Sequence, residues 1–162
     1  MKLPPAIRTA RPSDLHELLR LVGAYYRFDR IRFESKTIAG ALGTLLRKPE
    51  WGRVWVAQGH KRLVAYLVLT FNFDLEFGGL EGMITELYVE ARWRRFGIGR
   101  TLIDLARAFC HKSGIDTLEL QVSRDNRKAR AFYKSLGFRE FDRVVMAIEA
   151  APAMPSKRDV RS

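Results

Sequence analysis

Arg94-Arg95-Phe96-Gly97-Ile98-Gly99-Arg100 gathers three arginines around two glycines. Glycine lets the backbone turn tightly and lets a ligand come close to its amides. Ile98, Leu102, Leu105, Ala106 and Phe109 follow at three- and four-residue spacing, which predicts an amphipathic helix beginning inside this turn. The free N–H groups and positive dipole end of such a helix point into the turn, so the chemistry on offer is capture of a phosphate-bearing ligand. Just upstream, Glu86 lies in Ile84–Val89, a short run rich in β-branched and aromatic residues that predicts a strand. A carboxylate among apolar neighbours is costly unless it has a purpose. Two purposes stay open: a general base, acting directly or through water, or a structural ion pair with one of the many arginines. Strand alternation puts Ile84, Glu86 and Tyr88 on one face unless a bulge breaks the parity.

The glycine turn departs from two familiar phosphate loops. A Walker-type loop needs Gly-Lys-Ser/Thr, and Gly99 is followed by Arg100-Thr101. A dinucleotide fingerprint needs a third glycine where Leu102 stands. A second segment carries the distinction further: a strand-like run from Leu118, then Asn126, then a short helical stretch with Phe132-Tyr133 and a closing Gly137-Phe138. With Arg94, Gly97 and Gly99 upstream, the chain resembles the GNAT N-acetyltransferase superfamily from about residue 6 to about residue 149. Its cofactor motif reads Arg/Gln-x-x-Gly-x-Gly/Ala on the turn after the fourth strand.

That resemblance implies an α/β fold, a mixed central sheet flanked by helices whose two central strands are parallel and splay apart at one end. It implies transfer of acetyl from acetyl-CoA to a primary amine by direct attack in a ternary complex. Acetyl-CoA would be held by the backbone of Leu87, Tyr88 and Val89 in the manner of an added strand. The turn formed by Arg94, Arg95, Phe96, Gly97, Ile98, Gly99 and Arg100 would hold its phosphates, and Asn126 would reach the pantetheine arm from the neighbouring strand's end. Tyr133 would return a proton to the CoA sulfur, since a phenol with a reference pKa of about 10 is protonated at neutral pH; the alternative is that it only packs beside the cofactor. A backbone N–H at Tyr88 or Val89 would serve the oxyanion.

The acceptor pocket of such proteins is built largely from the first two helices and their connection. Here that nominates Tyr25, Tyr26, Phe28, Asp29 and Phe33, with Glu86 beside them; each aromatic could equally be plain core. Spacing in the central region is also similar to that of diamine acetyltransferases, which favours a small polyamine-like or amino-acid-like acceptor. A protein N-terminus or lysine is the alternative, and a non-catalytic CoA- or RNA-binding module on the same fold is a reading of another class.

These residues need a frame. Ala6–Thr9 predicts a first strand, and Ser13 or Asp14 a cap for a helix carrying Leu15, Leu18, Leu19, Val22 and Tyr26 on one face. The stretch 27–34 reads as a loop, and Ser35 to about Arg47 as a second helix ended by Pro49. Arg53–Gln58 and Leu63–Phe73 predict a hairpin through Gly59-His60-Lys61, with His60 exposed at the turn. Asp74 to Glu81 reads as a turn whose acids would draw an amine toward the site or stand simply solvated. Asp116–Val122 predicts the next strand, the Asn126 helix runs to about Leu136, and 138–149 supplies closing strands. Residues 1–149 thus make one domain, and 150–162 a basic, Pro-interrupted tail that reads as disordered.

Composition bounds the rest. The chain has 162 residues, 47% of them hydrophobic and 29% charged, enough for one core. No run reaches the length of a membrane span, and the N-terminus lacks the apolar stretch of a signal peptide, so the expectation is a cytoplasmic protein. The single cysteine, Cys110, falls on the apolar side of its helix and reads as core, and three scattered histidines offer no metal cluster. A net charge of +11 suits a polyanionic ligand and exceeds what one CoA needs, yet basicity more often marks a solvated face than a nucleic-acid partner. Relatives of this kind are commonly dimers, which is analogy alone.

Overall fold

A computed structural model describes residues 4–148 and 150. The predicted tail lies outside the described residues, apart from Ala150. Five strands form one sheet in the order β1 (Ala6–Thr9), β2 (Gly52–Gly59), β3 (Arg62–Asp74), β4 (Gly79–Val89) and β5 (Leu118–Leu120). The first four pair antiparallel and β4 pairs with β5 in parallel, so the sheet is mixed as expected. Helices α1 (Leu15–Phe28), α2 (Ser35–Arg47), α3 (Ile98–Lys112) and α4 (Arg127–Ser135) flank it. No helix among the described residues is long and apolar enough to cross a membrane.

The apolar run of β2 and β3 is continuous because both faces of these strands are covered. Val54, Val56, Tyr66 and Val68 pack against Leu18, Leu21, Val22 and Leu42 of α1 and α2. Trp55, Ala57, Leu67 and Leu69 face the other way, against Ile98, Leu102, Ile103, Ala106 and Cys110 of α3. Cys110 is 2% exposed and burial pushes its thiol pKa up, which suits a core residue and not a nucleophile.

Several boundaries move relative to the sequence reading. The first helix runs on through Phe28, leaving a shorter connection before α2. Asp14 closes the turn before α1 by accepting from the Arg11 amide at 2.7 Å and from the Arg8 guanidinium, rather than capping the helix with its side chain. β4 starts at Gly79, so Glu81 belongs to a strand and is 3% exposed, not a solvated turn residue. Residues 138–148 form no strand, although closing strands were expected there. Their apolar side chains Phe141, Val144, Val145, Met146 and Ile148 are exposed, and the three-residue β5 gives them little edge to extend.

α3 lies close against the start of β4, and one glycine makes that possible. A Cβ on Gly82 would stand 2.8 Å from Cys110 Sγ and 3.1 Å from Leu118 Cδ1. Gly82→Ala is therefore expected to destabilise by about 1–3 kcal/mol through overpacking. Denaturant titration should show a lower midpoint at unchanged slope; an unaltered midpoint would mean that α3 shifts without cost.

Candidate active site

The glycine turn lies between a strand and a helix, as its residues suggested. β4 ends at Val89, a short 3-10 turn covers Ala91–Trp93, and α3 begins at Ile98. Gly97 is the N-cap of α3 with φ +79°, a left-handed conformation that side chains with a Cβ resist. Arg95 also has a positive φ, and Arg94, Arg95, Phe96 and Arg100 are exposed. Ile98 is buried in the core, so only its backbone can face a ligand. The second glycine has a different reason to be there. A Cβ on Gly99 would meet the Phe132 ring at 3.3 Å, so Gly99 lets α4 pack over the start of α3.

Glu90 anchors this turn. Its carboxylate, 9% exposed, accepts from Arg20 of α1 at 2.7 Å and from Arg62 of β3 at 3.0 Å, with Arg92 at 3.4 Å. Burial alone would raise its pKa, but the hydrogen bonds from Arg20 and Arg62 outweigh burial and hold it below the usual carboxylate range. The end of β4 is thereby tied to α1 and β3, and the turn inherits a fixed position. Arg94 is folded back: its Nε donates to the Val89 carbonyl at 2.9 Å, and its guanidinium lies 5.0 Å from the Phe28 ring and 5.8 Å from Tyr88. Val89 therefore does not present a free carbonyl, contrary to the expectation for that backbone.

The splay is visible in the register. β4 and β5 pair only from Gly82↔Leu118 to Ile84↔Leu120, while β4 continues to Val89. Beyond Ile84, no strand among the described residues pairs with that edge of β4. Leu87, Tyr88 and Val89 lie in this open part. The predicted strand at 116–122 shortens to Leu118–Leu120 because the diverging chain leaves the ladder. Asn126, past its end, is the N-cap of α4, its Oδ1 accepting from the Ala129 amide at 3.1 Å.

A β-bulge sits at the start of the open part. β3 partners step from Leu69↔Ile84 to Val68↔Glu86, so Thr85 is the extra residue. Ile84 consequently packs on the α3 side, whereas Glu86 and Tyr88 face the α1 side. Unbroken alternation would have put all three on one face, and the bulge overturns it. Among the described residues Glu86 has no arginine partner, which favours the reading as a base over the ion pair. Instead it accepts from Tyr26 at 2.8 Å and from Tyr66 at 2.7 Å. Burial pushes its carboxyl above the usual range, against those two hydrogen bonds, which favour the charged form.

Aromatic rings surround that carboxylate. Tyr25 lies 5.7 Å from Tyr26 and 6.0 Å from Tyr88, and Tyr66 lies 6.4 Å from Tyr88. Tyr26 also meets Phe33 edge-on at 6.0 Å. Burial raises the Tyr25 pKa, and Asp29, Glu86 and Tyr133 add to it, so Tyr25 stands among all three. Tyr133 comes from α4 across the splay, edge-on to Phe138 at 5.8 Å, and burial raises its phenol pKa, keeping it protonated. Of the nominated acceptor residues, Tyr26 donates to Glu86, Tyr25 stands near both Glu86 and Asp29, and Phe28 is 62% exposed beneath Arg94. Tyr66 was missed. Its signal was a lone phenol in the apolar run Leu63–Leu69, since a buried tyrosine hydroxyl needs a partner.

The chain that carries this strand–turn–helix and this splayed pair of strands is similar to known proteins. The model of the acetyltransferase (GNAT) family matches residues 15–138. The chain belongs to that family. An uncharacterized N-acetyltransferase of Methanocaldococcus jannaschii is 31% identical over 136 residues, which is 83% of this chain and 60% of that protein's length. An integron cassette protein from the mobile metagenome of Cole Harbour Salt Marsh superposes with a TM-score of 0.80 at 28% identity, covering 91% of each chain. An aminoglycoside N-acetyltransferase solved in complex with CoA superposes at 0.79, covering 93% of this chain and 97% of its own, at 15% identity.

Proposed function

We propose that this protein transfers the acetyl group of acetyl-CoA to a small primary amine by direct attack in a ternary complex. The observation that carries this reading is Glu86, a half-buried carboxylate held by two phenols at the mouth of the splay, with Tyr133 approaching from the other side. Acetyl-CoA supplies the activated thioester. The exposed turn at Arg94–Gly97 and the first amides of α3 suit its phosphates, and the open edge of β4 beyond Ile84 suits its extended arm. Arg94 would exchange its Val89 contact for this ligand.

The chain's own groups divide the proton work. An amine must lose a proton to attack, and Glu86, with its pKa raised toward that of a working base, is the acceptor, directly or through water. Tyr25, Tyr26 and Tyr88 orient the incoming amine, whose charged form is drawn to ring faces. A backbone N–H in the open part of β4 meets the oxyanion. Tyr133, protonated, returns a proton to the departing sulfur. The aromatic rings clustered about Glu86 favour a small amine over a protein side chain.

Thiol release from acetyl-CoA against polyamines, amino acids, aminoglycosides and basic peptides tests the reading. Turnover with small amines supports it, and turnover confined to peptides would transfer the assignment to a protein acceptor. In the same assay Tyr133→Phe is expected to lower kcat about tenfold with little change in acetyl-CoA affinity. The effect is modest because a thiol of reference pKa about 8.5 leaves tolerably without help. Unchanged kcat would remove the acid role.

A further inference from the structure

We infer that the sheet face beyond Glu86 carries a second cation subsite, formed by Glu81 and Glu119, which takes the distal ammonium of an extended di- or polyamine acceptor; this rests on the proposed transfer to an amine. The observation that starts the argument is a carboxylate left incomplete. Glu81 is 3% exposed, its Oε1 accepts from Asn72 Nδ2 at 2.8 Å, and its Oε2 is buried with no hydrogen-bond partner among the described residues. A buried carboxylate oxygen without a donor is costly, and a cation is what it lacks.

Register places this group on the acceptor face. Gly82 and Ile84 point toward α3, so Glu81 and Met83 point the other way, the side to which the bulge returns Glu86. Leu118 and Leu120 pack on the α3 side, which turns Glu119, the partner of Met83, to the same face as Glu81. Asp74 and Glu76 lie near Glu119 and add to the negative field. A protein of net charge +11 thus reverses sign locally. Arg143 is the counter-charge at the rim, donating to both Glu76 oxygens at 2.8 and 2.9 Å.

Spacing selects the ligand. Glu86 and Glu81 oppose Val68 and Asn72, four residues apart on β3, which is about 13 Å along a strand. Glu119, opposite Met83, falls between them. An amine seated at Glu86 with an extended aliphatic chain along this face brings its far nitrogen to Glu119 and Glu81. Two facing carboxylates with one orphan oxygen hold an ammonium better than a guanidinium, whose planar fork calls for a single bidentate partner.

The test compares spermidine with butylamine, which has the reacting end alone. The wild type is expected to prefer spermidine, and Glu119→Gln to lower the spermidine-to-butylamine ratio of kcat/KM about tenfold, the worth of one partly screened charge pair. Glu81→Gln should do the same, and Glu119→Gln, at a half-exposed position, keeps the test alive if the buried variant does not fold. An unchanged ratio overturns the subsite. If the wild type acetylates neither amine, the proposed function is decided by the wider panel of small amines, and calorimetry decides the subsite separately. Spermidine binding weakened in Glu119→Gln sustains it, and equal binding overturns it.

Discussion

Glu86→Gln is expected to lower kcat by about 10²–10³-fold with acetyl-CoA affinity retained, the usual scale for losing a positioned general base. The side chain keeps its shape, and one of the Tyr26 and Tyr66 hydroxyls can rotate to accept from the new amide NH2 while the other goes on donating to its oxygen, so the fold should survive. The pH profile is the sharper reading. A base works in its deprotonated form, so activity falls as pH drops through the Glu86 pKa. Burial has raised that pKa, which moves the acid limb above the ordinary carboxylate range. Wild-type kcat should therefore decline at a pH where exposed carboxylates are still ionised, and the variant should lack that limb. A variant with wild-type kcat, or with the same limb, would leave Glu86 a structural residue.

Gly97→Glu should raise the Kd for acetyl-CoA at least 100-fold. Gly97 adopts φ +79° and caps α3, and the space around a Cβ there is open, so the new side chain projects from the turn instead of into the core. Strain from a left-handed non-glycine residue costs roughly 1–2 kcal/mol. The added carboxylate contributes more, because it offsets part of the field of Arg94, Arg95 and Arg100 and sets a like charge at the dipole end that would receive phosphate. Gly97→Ala separates the two effects, carrying the strain without the charge. Calorimetry with CoA reads both variants. Wild-type affinity in Gly97→Glu would mean that the turn does not hold the cofactor's phosphates.

The parts that read correctly from the sequence are local. The α3 start at Ile98, the bounds of α2 at Ser35 and Arg47 and the β1 strand all follow from periodicity, glycine and proline, which act within a turn or two. The glycine turn was legible for the same reason, since Arg94, Gly97, Gly99 and a helix start lie in one short stretch. The helix that carries Tyr133 was legible because its signals, Asn126 and Gly137 at its two ends, are local too.

What tertiary structure decided concerns faces, partners and depth. One extra residue at Thr85 determines that Glu86 turns toward α1 and away from Ile84, and side-chain period two makes any such slip reverse a whole face. The partners of Glu86 are Tyr26 and Tyr66, 60 and 20 residues away in the chain. No local pattern distinguishes them from an arginine. Glu81 read as a turn residue because acids and glycines crowd Asp74–Glu81, but pairing with Asn72 drew it into β4 and buried it. Gly99 looked like a ligand-approach glycine until Phe132 was brought against it. Composition and spacing specified which groups the protein owns and where its glycine turn lies. Strand register and packing, which depend on residues distant in sequence, specified which of those groups meet and how dry their surroundings are.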